Sequence, residues 1–146
     1  VPVTTLRRPR PGAGPRTDLA ALADLVAEHD PLELVVGLPL TLAGGSGPAV
    51  ASVRAYVEEL VGVLAQRRTP VPVRLVDERL STAAAAKGLR SAGTDSRRGR
   101  AVIDQSAAVI IVQDALDAER RTGTPPGELV ARPSTHRRPD DPRTTR

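Results

Sequence analysis

Two short apolar runs, 32–36 (LELVV) and 71–76 (VPVRLV), are separated by a Gly-rich loop and one segment of helical period. Few folds accommodate that order. A helix between two strands of one sheet returns the chain to the end from which it set out, so the strands run parallel. The intervening helix begins at Pro48, a favoured first-turn residue, and carries Val50, Val53, Val57, Leu60, Val61 and Leu64 along one face as far as about Arg67. A helix over 18–29 precedes the first strand. Thr17 and Asp18 serve as its cap and first-turn acid, and Leu19, Leu22, Leu25, Val26 and His29 form its apolar stripe. After the second strand, Ser81 or Thr82 caps an Ala-rich helix. A basic loop follows over 93–99, then a long helix over about 101–121. Residues 1–6 (VPVTTL) read as a further short strand, 7–16 as an exposed Pro/Gly/Arg loop, and 131–146 as a disordered Arg/Pro-rich tail. The expectation is one α/β domain over 1–130. Two or three strands are few for four helices to cover, which points to sheet missing at the N-terminal side.

Composition removes many chemistries. Val, Leu and Ile number 36 of 146 residues, enough for a core. With no Cys there is no disulfide scaffold, zinc finger, iron–sulfur site or thiol nucleophile. Tyr56 is the only aromatic residue, which excludes a base-stacking platform of several rings. His29 and His136 are far apart in the chain and form no HExxH-type pair. No apolar run reaches membrane-spanning length and no signal peptide is seen, so a cytoplasmic protein without membrane attachment is expected.

Charge is unevenly placed. Residues 87–100 carry Lys87, Arg90, Arg97, Arg98 and Arg100 against Asp95 alone, beside a body that is net acidic. Such a patch suits a polyanion, because phosphates release counterions when they pair with Arg. The acids point to chemistry as well. Asp77 and Glu78 end the second strand run, and ligands of open α/β sheets gather beyond the carboxyl ends of strands. Asp104 shares a helical face with Ala108, Ile111 and Ala115, an awkward place for a carboxylate unless it is paired, metal-bound or favoured by the helix start. Two acids from separate elements near strand ends make half of a site for Mg²⁺ or Mn²⁺, and such ions stabilise the attacking and leaving oxygens of phosphodiester cleavage. The loop GGSGP (44–48) lacks the ending of a phosphate-binding P-loop, and Ser46 has no evident base.

Three segments, VVGLP (35–39), VRLVDERLST (73–82) and RRGRAVIDQSAAVIIVQDAL (97–116), resemble the YqgF-type family of pre-16S ribosomal RNA nucleases, also described as Holliday-junction-resolvase-like. The resemblance covers roughly 1–130. It implies an RNase H-like fold, a mixed sheet with helices on both faces, here lacking its first one or two strands. It implies divalent metal held by three acids. Glu78 matches the Glu of the second motif and Asp104 the Asp of the third, with Arg79 and Gln105 also in pattern. The remaining acid, on a D-x-G strand, has no counterpart in this sequence, and Asp18, at a helix start, does not replace it. The implied activity is endonucleolytic processing of the 16S precursor's 5′ end, with Glu78 and Asp104 as metal-binding catalytic residues. A non-catalytic nucleic-acid-binding remnant and a resolvase of branched DNA are the alternatives.

Overall fold

A computed structural model describes residues 2–40, 47–78 and 97–131; for 97–104 and 131 it describes the backbone alone. In chain order the elements are α1 (Thr17–His29), β1 (Leu34–Leu38), α2 (Pro48–Gln66), β2 (Val73–Asp77), α3 (Arg97–Thr122) and β3 (Glu128–Ala131). β1 and β2 pair in parallel, with Leu34 opposite Val73 and Leu38 opposite Asp77. β3 joins the other side of β2 antiparallel. The result is an α/β fold with a mixed sheet, in keeping with an RNase H-like architecture.

Strand alternation decides which helix each side chain meets. Leu34, Val36 and Leu38 of β1, with Val73 and Leu75 of β2, pack against α1 and α2 through Val50, Val57, Leu60 and Leu64. Val35 meets Ala107 and Ile111 of α3 on the opposite face. Both faces of β1 are therefore covered, which is why LVVGL is apolar throughout rather than alternating. On α1, Leu19, Ala23 and Val26 are buried at spacings of four and three.

Several sequence expectations need correction. The two strands each begin two residues later than their apolar runs do. Leu32 is 95% exposed, because Asp30 ends α1 in a left-handed conformation and the chain turns before pairing begins. Residues 2–6 form no strand; Pro2–Thr4 lie along α3 and help line a groove of about 390 Å³ with Ala108, Val109 and Val112. A third strand, not expected from the sequence pattern, forms at Glu128–Ala131 and pairs antiparallel, which gives the mixed sheet that the family resemblance implies. Gly127 permits it: its φ is +81°, and a Cβ there would stand 2.1 Å from the Leu75 carbonyl oxygen. Arg97, Arg98 and Gly99 belong to α3, not to a preceding loop. The expected Ala-rich helix and the Arg/Pro-rich tail beyond Ala131 lie outside the described residues.

Helix α1 has no side-chain cap. Asp18 is 3% exposed and accepts two bonds from Arg16, from Nε and Nη2, both at 3.1 Å. That pairing, with further donation from the Tyr56 hydroxyl and the Leu19 N–H, outweighs burial and lowers the carboxyl to about 2. Tyr56 is pushed up to about 12, first by burial and then by Asp18. A carboxyl depressed on folding stabilises the fold above its ordinary value near 4, and the contribution fades as pH falls through the folded value. Asp18→Asn is expected to lower unfolding stability by about 2 kcal/mol at pH 7. The gap between variant and parent should close between pH 4 and pH 2 in urea titrations.

Candidate active site

The site is built at the carboxyl end of β2. Val73 and Leu75 face α2, so the pleat directs Asp77 to that same side and Glu78 to the side of α3. Glu78 is half-buried, and its carboxylate lies over Gly37 of β1. A Cβ on Gly37 would stand 2.8 Å from Glu78 Oε1, 3.0 Å from Glu78 Cγ and 2.9 Å from Ile111 Cδ1. Gly37 thus leaves the space in which strand β1, Glu78 and helix α3 meet. The register puts Gly37 beside Val76, two residues before Glu78, so the space falls where the acid needs it. In the sequence Gly37 stands inside the VVGLP motif, ahead of the Gly-rich loop. Its signal is a glycine inside an otherwise apolar strand, which marks a close approach.

Helix α3 contributes from the other side. Ala107, Ile111 and Ala115 are its buried stripe, whereas Ala108, expected in that stripe, is exposed. Asp104 precedes these by three, seven and eleven residues. Its backbone therefore lies two turns, about 10 Å, along the helix from Ile111. Its side chain is outside the described residues, as are those of Arg97, Arg98 and Arg100 and the whole of Lys87 and Arg90. Gln105 is described: its Nε2 donates to Thr5 Oγ1 at 2.8 Å, which ties the N-terminal segment to the helix beside Asp104. Among the described residues no three His, Cys, Asp or Glu side chains cluster as metal ligands.

The family described as "RuvX: Holliday junction resolvase" matches residues 1–118, which include both strands of the site and most of α3. The chain belongs to this family. Other RuvX-like sequences bear the name "Putative pre-16S rRNA nuclease". One from Streptomyces coelicolor is 58% identical over 109 residues, covering 75% of this chain and 63% of that protein. One from Nocardioides sp. is 52% identical over 134 residues, 88% of this chain and 80% of its own length. One from Thermobifida fusca is 47% identical over 137 residues, 89% of this chain and 80% of its own. The chain thus spans less than two thirds of the Streptomyces coelicolor relative. No described helix of this RuvX-family chain is long and apolar enough to cross a membrane.

Gly37→Ala is expected to force Glu78 and Ile111 apart, at a cost of about 1–3 kcal/mol. Thermal unfolding measures the loss. Gly62→Ala, with open space around its Cβ position, should lose none and gain helix propensity.

Proposed function

We propose that this chain carries the catalytic core of a metal-dependent endonuclease that processes the 5′ end of pre-16S ribosomal RNA. The observation that carries the reading is the Glu78 carboxylate held over Gly37 on the face of the sheet that α3 covers. Asp104, on that helix, is the second acid. Carboxylates are hard oxygen donors and fit Mg²⁺ or Mn²⁺, which keep several waters and take few protein ligands. When bound, such an ion supplies a lowered water pKa and charge stabilisation at the phosphorus. The residues' share is to hold the ion at the strand end and to orient it against the phosphate. Asp77 is given no part in this, because the pleat turns it toward α2.

Arg97, Arg98 and Arg100 open α3. Cations at a helix start oppose the helix dipole, so their presence there needs another use, and phosphate contact provides one. With Lys87 and Arg90 they form the proposed backbone-binding surface. The substrate class follows the relatives' name. The family's description favours branched DNA as the second reading, with the same two acids.

The test is cleavage of a pre-16S RNA fragment by the gene product purified at its native length. Asp104→Asn is expected to reduce cleavage in Mg²⁺ at least a hundredfold, with RNA affinity within about twofold of the parent. Retained cleavage overturns the metal-site reading. Cleavage of a four-way DNA junction but not of the RNA transfers the proposal to the second substrate. Arg97, Arg98 and Arg100 changed together to Ala are expected to weaken binding and flatten its dependence on salt. An unchanged slope in a fluorescence-anisotropy titration removes them from the interface.

A further inference from the structure

Two groups stand out among the described arginines. Arg16, Arg54, Arg67, Arg74 and Arg120 each pair with a carboxylate. Arg121 bonds the Asp117 carbonyl, and Arg68, beyond the end of α2, is an isolated exposed cation among the described residues. Arg7, Arg8 and Arg10 are exposed and form no ion pair among the described residues. They sit together on the loop before α1, and the loop is held in place. Arg8 Nη1 donates to Ser52 Oγ of α2 at 2.9 Å, and its guanidinium lies 5.0 Å from the centre of the Tyr56 ring. Arg16, at the loop's far end, lies 5.4 Å from the same ring. Two guanidinium groups on one ring repel unless one is neutralised. Arg16 is neutralised by Asp18 and Glu59. Arg8 keeps its charge, presented in a fixed pose on a rigid helix.

The loop also has a definite position relative to the candidate site. Thr5 bonds Gln105, the neighbour of Asp104, and Arg8 bonds α2 on the opposite face of the sheet. Three residues span at most about 11 Å, so the backbone of Arg8 stays within that distance of Thr5. The loop therefore carries unpaired cations away from the site's edge toward the first half of α2.

We propose that Arg7, Arg8 and Arg10 form a second phosphate-contact surface, which takes the sugar–phosphate backbone of the nucleic acid where it leaves the candidate active site. This takes from the proposed function only that the partner is a nucleic acid, and it does not require cleavage. Guanidinium groups suit it because they bind phosphate oxygens bidentately. Tyr56 holds Arg8 and leaves it little freedom to lose on binding. A backbone contact of this kind positions the strand and reads no sequence.

The experiment is RNA binding by the full chain, with a mixed-sequence single-stranded oligonucleotide followed by anisotropy from low to moderate salt. Arg7, Arg8 and Arg10 changed together to Ala are expected to weaken binding at least tenfold at low salt. The log–log salt slope should fall by about 2, since each phosphate contact contributes somewhat under one unit. Arg8→Ala alone should lower the slope by somewhat under one unit, while Arg68→Ala, the same charge change in the turn beyond the far end of α2, should leave it unaltered. A slope unchanged in the triple variant overturns the proposal, whatever becomes of cleavage. So does a polyglutamate peptide that binds the parent and not the triple variant while the two bind the RNA equally, which would assign the surface to acidic protein. Conversely, a triple variant that loses slope beside an Asp104→Asn variant that still cleaves leaves this surface standing and the proposed metal site refuted.

Discussion

The candidate site depends on one missing side chain. Gly37 lies in the middle of an apolar strand, where any Cβ would meet the Glu78 carboxylate and Ile111 closer than van der Waals contact. Because that space is open, an acid at the end of β2 can fold back over the neighbouring strand and lie beneath a helix from a distant part of the chain. The rest is arranged around it. Parallel pairing sets Gly37 beside Val76, and the pleat then decides that Glu78, not Asp77, faces α3. The small side chains of Ala107 and Ala115 let that helix lie close to the sheet.

The opposite face has a different task. α1 and α2 bury leucine and valine against the sheet and give the domain its larger core. The polar cluster of Arg16, Asp18, Tyr56 and Glu59 locks the entry to α1 against α2. A buried carboxylate is unfavourable without partners, and Asp18 has three kinds: a guanidinium, a phenol and a backbone amide. Its role is to hold the segment before α1, and so it fixes where the unpaired loop arginines stand.

Much of this was legible in the sequence because period and burial coincide. The stripe of α2 from Val50 to Leu64 could be read directly, since one face of that helix meets the core and the other meets water. Glu78 could be singled out because acids at strand ends sit where ligands gather. Other features were hidden for physical reasons. β3 is four residues long and its formation depends on a close approach at Gly127 that only the paired strand creates. The 1–6 segment has strand-like residues, yet residues 2–6 pair with no strand among the described residues, and Pro2–Thr4 line a groove together with α3. Gly37 looked like punctuation because its purpose lies in a contact across more than 70 residues of sequence with Ile111. Asp18 could be read as a first-turn acid of α1, as it is, but its pairing with Arg16 and Tyr56 could not, because Tyr56 reaches it only once α2 has packed.

The central claim is that the Glu78 carboxylate, seated over Gly37, holds a divalent cation. Binding of Mn²⁺ measured by electron paramagnetic resonance tests it without recourse to any substrate. The parent chain should bind the ion, Glu78→Gln should weaken binding at least tenfold, and Asp77→Asn, on the other side of the pleat, should bind as the parent does. Equal binding by Glu78→Gln and the parent would contradict the assignment.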